Sequence, residues 1–468
     1  MTATFNTTPT GTLGSTPTRI RRSAARRFRS ALALTTAGLV LFTSCTASSD
    51  AAPLETVVDR GEIVVIGDDG EQLTTSAPTT EIDLFDSSVV HTIRVDFDQA
   101  DYDAMIETFA STGDKDWISA TVMIDGTTYA DIGLRLKGNS SLFGLTADTS
   151  GNPEDLPWLI RLNKFVEGED HQDYEDIVIR SNSTETALNE AVAQELLALT
   201  GLASQDPIAT AFTVNGGETE LRLAVENPDE EWYEDNFDDE GGLLYKADSE
   251  GDYSYRGEDN DAYTDVFDQK VGDDDLQPLI DFLDFINNSD DATFASELAD
   301  QVDVEAFATY LAFQDLIGNA DDISGRGNNS FLQYDTSVEQ FTVVSWDLNL
   351  AFGTANVGGG AAGGGSPPAG SRPAGPPPEG AGGGPGGPGG PGGEANVLVD
   401  RFMANAEFAA MYTTNTAELT ELLFASGTVG EVIANWSNVL INGAADLVSE
   451  ATVISEAAAL ISYVDGGR

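Results

Sequence analysis

The sequence predicts an α+β fold in two lobes, the first mostly β with one key helix and the second mostly helical. Three observations predict it. A chain of 468 residues can bury more core than a single small lobe needs. Between Val89 and Val225 short apolar runs alternate with polar residues and are split by turn dipeptides, as strands and hairpins are. From Leu276 onward the apolar spacing becomes helical, interrupted by one further hairpin.

Charge bounds the partners. The chain carries 79 acidic against 22 basic residues, a net charge of -57. Such a surface repels phosphate backbones and anionic headgroups, so no nucleic-acid partner is expected. It favours encounter with a basic partner.

The amino terminus departs from that acidity. Arg19, Arg21, Arg22, Arg26, Arg27 and Arg29 precede the apolar run Ala31 to Phe42, which ends at Thr43-Ser44-Cys45. A basic stretch, a short apolar stretch and small residues before a cysteine make a bacterial export signal. The apolar run is short for a membrane span. Cys45 is the only cysteine, which excludes an intramolecular disulfide, and its position resembles a lipobox. The expectation is an exported lipoprotein on the outer face of the cell membrane, anchored through Cys45, with residues 1–45 as the signal and 46–80 as a flexible tether. A cleaved signal with an incidental cysteine is the alternative. Arg26-Arg27-Phe28-Arg29 also resembles a twin-arginine signal.

Residues 81–226 form the expected first lobe. Val89 to Phe97 alternates as a half-buried strand, with His91 a packed histidine in the apolar register. Asp98 or Asp101 can cap a helix through Phe109, and a hairpin turns at Asp125-Gly126. On a strand, Gly133-Leu134-Arg135-Leu136-Lys137 puts Leu134 and Leu136 on one face and Arg135 and Lys137 on the other. The strand thus delivers two cations to one surface just before Gly138-Asn139-Ser140-Ser141, a loop whose backbone and hydroxyl donors can cradle phosphate oxygens. In Trp158 to Phe165, Trp158, Ile160 and Leu162 share a face and Arg161 points the other way, with Lys164 nearby. Ser183 to Leu199 reads as an amphipathic helix carrying Glu190, capped by Ser183 or Thr184 and stopped by Gly201. A hairpin at Asn215-Gly216-Gly217 leads to Glu226, where a linker to the second lobe is expected.

Residues 227–353 form the second lobe. Helices are expected at Leu276 to Asn287 and Val304 to Leu316. They lead into Gly318-Asn319-Ala320-Asp321-Asp322, then a hairpin of Phe331–Tyr334 and Phe341–Val344, so that Asn329 enters one strand and Asp347 leaves the other. That brings an amide and a carboxylate to one end of the hairpin. Mg2+ takes oxygen ligands, usually one or two carboxylates with phosphate oxygens and water, so the pair suits a metal–nucleotide complex and leaves Asp321 or Asp322 as a base. Asp, then Asn, then Asp before a glycine turn is also the order of these parts in protein kinases. Residues 354–394 are nearly all Gly, Pro, Ala and Ser and are expected to be disordered. Three or four helices in 395–468 close the second lobe. No EF-hand spacing occurs in the acidic stretches.

The segments Gly318–Asp322, Asn328–Tyr334 and Trp346–Gly353 resemble, in this order, the GNxD, N-Y-x-L-Y and WDLDxxFG series of the CotH-type spore-coat kinase family. Gly133–Ser141 is similar to its GxRxKGNSS signature, Trp158–Phe165 to its Y-R-I-K-F-N-K-F stretch, and Glu190 stands at its LREK-type glutamate. Leu244-Tyr245-Lys246 and Asp252–Tyr255 are similar to its LYK and D-x-x-Y segments. Arg161 stands where a lysine is usual, and Asn349 where a second acid is frequent. The resemblance implies a two-lobed protein-kinase-like fold and an ATP- and Mg2+-dependent protein kinase acting on Ser or Thr of a protein substrate, expected to be Ser-rich and, from the acidic surface, basic. It implies nucleotide contacts from Arg135, Lys137, Asn139, Ser140, Ser141, Arg161, Lys164, Glu190 and Glu226. Asn329 and Asp347 then hold the metal, and Asp321 or Asp322 is the base. The alternative is a catalytically inactive kinase-fold lipoprotein acting as a surface binding or structural protein. A calcium-dependent adhesion protein is a third reading, which the missing loop motif disfavours.

Overall fold

The computed structural model describes residues 82–466, apart from 139, 239–240, 249–251, 320, 325–328 and 357–395, together with two short strands, β1 (Ile63–Ile66) and β2 (Gln72–Thr75). β1 and β2 pair antiparallel within the stretch expected as a tether. The export segment with Cys45, the loop residue Asn139 and nearly all of the Gly/Pro-rich stretch lie outside the described residues.

Seven strands close a barrel: β3 (Val90–Phe97), β4 (Ile118–Ile124), β5 (Thr127–Leu136), β6 (Trp158–Arg161), β7 (Asp176–Ile179), β8 (Pro207–Val214) and β9 (Thr219–Glu226). The order is β3-β4-β5-β6-β7-β9-β8, and β8 closes it by running parallel to β3. Alternation decides what faces inward. Ile93, Val95, Leu134, Leu136, Trp158 and Ile160 fill the interior, while Leu159, Val178, Leu223 and Val225 face out. His91 is buried as expected, its Nδ1 2.6 Å from Asp125 Oδ2. Helix α1 (Gln99–Thr112) is capped by Asp98 and closed by Gly113 at φ 83°, a left-handed turn that glycine adopts without strain.

Helix α2 (Leu188–Leu199) lies on the outward apolar face and is packed by the last helices on its other side. Two expectations fail here. The helix is buried nearly all round rather than on one stripe, and it begins five residues later than its sequence suggests. Ser183 to Thr186 do not form a first turn because Thr184 Oγ1, the Glu185 and Thr186 amides and Thr186 Oγ1 all donate to Glu456.

Beyond the barrel, β10 (Leu243–Ala247), β11 (Phe267–Val271), β12 (Ser330–Asp335) and β13 (Gln340–Ser345) form an antiparallel sheet in the order β11-β10-β12-β13. Around it lie α3 (Glu230–Asn236), α4 (Gln277–Asn288), α5 (Asp291–Gln301), α6 (Val304–Ile317), α7 (Val397–Ala404) and α8 (Ala406–Leu419). Tyr245, Phe282, Phe307, Tyr310, Phe341 and Phe402 make its core. α9 (Thr428–Gly443) and α10 (Glu450–Gly466) pack instead with α2. The class is mixed α+β, as the sequence predicts. β7, β10, β11, α3 and α5 were not anticipated: the strands and α3 are short, and acidic residues interrupt the periodicity of α3 and α5. Among the described residues no helix is long and apolar enough to cross a membrane.

Candidate active site

The β12–β13 hairpin sets the site. Ser330 pairs with Ser345, so Asn329, one residue before the pair, and Asp347, two residues beyond it, leave the same end of the hairpin as expected. Asn329 Nδ2 donates to Asp321 Oδ2 at 2.8 Å and to the Asp321 carbonyl at 2.9 Å. Asp321 reaches solvent, yet its neighbours crowd it enough that desolvation, and then the charge of Asp347, raise its carboxyl above the ordinary range. Asp321, Asn329 and Asp347 therefore come together. Asp347 adopts φ 60°, a left-handed conformation that costs a non-glycine residue on the order of 1 kcal/mol or more.

Asp322 does not join them. It is 8 % exposed, and both its oxygens are taken by Ser324: Oδ1 accepts from the amide at 2.9 Å and Oδ2 from the hydroxyl at 3.2 Å. Burial pushes its carboxyl up to about 7. Of the two aspartates offered by the sequence, Asp321 is the one beside the hairpin end.

Arg180, the residue after β7, links Asp347 to α2. Its Nε lies 2.8 Å from Glu190 Oε1, and its Nη2 bonds Asp347 Oδ1. Burial raises Glu190 despite this arginine, and the two carboxylates together hold Arg180 firmly protonated. The partner of the helix glutamate is thus Arg180, a residue the sequence did not single out, and neither Lys137 nor Arg161. Arg161 is committed to Asp176 through a two-pronged pair, Nε–Oδ1 at 2.7 Å and Nη2–Oδ2 at 2.5 Å. The signal for Arg180 was a short apolar run, Ile177–Ile179, ended by an arginine.

Lys137 leaves β5 on the outward face and donates to Asn227 Oδ1 at 2.9 Å, with its Nζ 5.3 Å from the Trp346 ring centre. Asn227 in turn donates to Asp176, so Lys137 and Arg161 share one polar network. Burial, with the like charges of Lys270 and Arg135, lowers Lys137 to about 7. Lys246 on β10 was missed as a site residue. Its ammonium lies over Phe331, donates to the Ala247 carbonyl, and is lowered to about 8 by burial against the pull of Asp347 and Asp248.

The remaining candidates lie apart. Glu226 is buried, accepts from the Asp206 amide at 2.9 Å, and is raised by desolvation and by Asp206; it fastens the start of β8. Arg135, Arg161 and Lys164 gather around Trp117, at 4.7, 5.5 and 5.2 Å from its ring centre. Ser140 enters a short 3-10 turn and Ser141 is exposed beside Gly138, where a side chain would meet Ser141 Oγ at 2.5 Å.

For a divalent cation, the available donors are the hard oxygens of Asp347, Asn329 and Asp321, the ligand type Mg2+ prefers. Arg180 engages one Asp347 oxygen, and the Asn329 amide nitrogen faces Asp321, which leaves oxygens on both residues for a metal. No group of three or more His, Cys, Asp or Glu side chains suited to a metal occurs among the described residues. An ion that keeps waters and takes phosphate oxygens needs no such group. The donor set fits Mg2+ held jointly with a phosphate.

A barrel and an antiparallel sheet that bring carboxylates and lysines lowered by burial toward one hairpin end define an α+β protein with a candidate active site. The chain matches the CotH kinase protein family over residues 134–451, most of its length, and belongs to that family. At the level of the family it is a kinase-type enzyme. No curated protein matches the chain.

Proposed function

We propose that this protein is an atypical protein kinase that transfers the γ-phosphate of ATP to Ser or Thr hydroxyls of a protein substrate, in a two-lobed kinase-like arrangement of barrel and sheet. The observation that carries the reading is the meeting of Asp321, Asn329 and Asp347 at one end of the β12–β13 hairpin. Asp347 and Asn329 would hold Mg2+, which would supply charge neutralisation to the phosphates. Lys137 and Lys246 would meet the phosphate oxygens, and an anion there favours their ammonium forms. Arg180 and Glu190 orient Asp347. Asp321, raised above the ordinary carboxylate range and open to solvent, takes the proton of the acceptor hydroxyl as its oxygen attacks. The same reading puts the protein outside the cell membrane, anchored through Cys45, with a basic, Ser-rich acceptor drawn by the acidic surface.

The test separates metal ligand from base. Asp347→Asn should abolish Mg2+-dependent ATP binding in a calorimetric titration. Asp321→Asn should keep that binding and lower transfer to a basic Ser-rich peptide by about a hundredfold or more. Wild-type protein that binds no ATP at millimolar Mg2+ would sink the kinase reading. Binding without transfer would favour an inactive surface-binding protein, a reading supported by the ion pair that Arg180 makes with Asp347.

A further inference from the structure

The described residues hold few cations for so acidic a chain, and those few are not spread out. Lys115, Arg135, Lys137, Arg161 and Lys164 are five of their twelve lysines and arginines. These five fall into two sets. Lys137 faces Trp346 and the hairpin end. Arg135, Arg161 and Lys164 surround Trp117, and Lys115 is close enough for the Arg135 charge to act on it.

The second set is built, not incidental. Its floor, Trp117, lies just before β4 and packs on the outward barrel face. Gly133 makes room for it: a side chain there would meet Lys164 Cβ at 2.4 Å and the Trp117 ring at 2.9 Å. Arg135 Nε is buried and has no hydrogen-bond partner among the described residues. Arg161 is balanced by Asp176, but Arg135 is not so clamped: burial and the Arg161 charge disfavour its cation, with the Asp176 and Asp268 charges opposing. Lys115 is lowered for the same two reasons, burial and then the neighbouring Arg135, with Asp248 opposing. Like charges held half-buried around a ring, offset only in part by Asp176, Asp248 and Asp268 and with the Arg135 Nε donor left over, leave room for a further anion.

We propose that the Trp117 cage binds a phosphate group carried by the acceptor protein itself, so that the preferred acceptor is a basic, Ser-rich chain already phosphorylated near the hydroxyl to be modified. This rests on the kinase reading above. A phosphate offers two charges and three acceptor oxygens, enough to engage the Arg135 fork and both lysines, which a single carboxylate is not. The nucleotide's phosphates belong with the metal ligands and Lys137, on the Trp346 side. Arg135 lies two residues back along the strand, about 7 Å away, and serves a second ligand. Long-range and local charge then act in the same direction. The acidic surface attracts a basic chain, and the cage seats the one anionic group on it.

The experiment compares two Ser-rich basic peptides of identical sequence, one bearing a single phosphoserine, titrated calorimetrically into the full-length protein. The phosphopeptide should bind about tenfold more tightly. The double variant Lys115→Gln/Trp117→Leu should erase that difference and leave Mg-ATP affinity unchanged. Gly133→Ala, which removes no charge but fills the space under the cage, should erase it as well. Equal affinity of the two peptides for the wild type overturns the proposal without any variant. A parallel loss of ATP affinity in the double variant also overturns it, by making the cage part of the nucleotide site. Failure of ATP to bind the wild type strikes the kinase reading alone, because the peptide comparison does not need nucleotide.

Discussion

Asp322 shows what a single buried carboxyl does to this fold. Its charged form has lost water and gains only the Ser324 hydrogen bonds, so the folded state holds its proton up to about 7 while the unfolded chain releases it near 3.8. Between those values the folded state binds more protons, and stability falls as pH rises. The penalty on the charged form is roughly 4 kcal/mol at most. Asp322→Asn keeps the acceptor oxygen for the Ser324 amide and removes the titration. The variant should therefore lose that part of the pH slope and exceed the wild type in stability at pH 8, measured by urea unfolding at pH 5 and 8. Identical slopes in both proteins would refute the assignment. Asp321 is the contrast: next to it in sequence, open to solvent, and aimed at Asn329. Two neighbouring aspartates look alike in a sequence, and only the path of the chain past Tyr310, whose hydroxyl accepts from the Ile323 amide, sends one inward and one outward.

At the scale of elements, α2 carries Glu190 to the site, and its start is held from a distance. Glu456 on α10 accepts four hydrogen bonds from Thr184, Glu185 and Thr186. It places a carboxylate where the α2 dipole and its leading amides favour negative charge. Glu456→Ala should cost about 2 kcal/mol, since hydrogen bonds to a charged group each contribute on the order of 1.5–3 kcal/mol and water replaces part of the loss. The denaturant midpoint checks this, and a change within about 0.3 kcal/mol would show the tie to be idle. The sequence offers Ser183 and Thr184 as local caps, which is the commoner use of those residues. Their hydroxyls turn instead to Asn349 and Glu456, partners more than a hundred residues away.

For the whole molecule the strongest sequence feature is charge, -57 over 468 residues, with basic residues concentrated in the amino-terminal segment and around the site. A lipid-modified Cys45 would hold this acidic protein at a membrane through acyl chains contributing about 0.8 kcal/mol per buried CH2, with two signals needed for stable anchoring. Cys45→Ser should move the protein from the membrane fraction to the soluble exported fraction. Wild-type protein recovered soluble outside the cell with a free thiol would exclude the anchor.

The sequence by itself determined the mixed class, most strands of the barrel, the hairpin that ends at Asn329 and Asp347, and the family to which the chain belongs. These rest on local periodicity and short motifs, which neighbours in the chain suffice to specify. The pairing of charges was decided by tertiary structure alone. Arg180 rather than Lys137 or Arg161 meets Glu190, Asp176 claims Arg161, Asp322 is buried while Asp321 is not, and Trp117 draws together cations from β5, from β6 and from the turn beyond it. A salt bridge depends on distances of a few ångströms between residues far apart in sequence, and periodicity carries no such information. It becomes visible only once the barrel has closed and the sheet has packed.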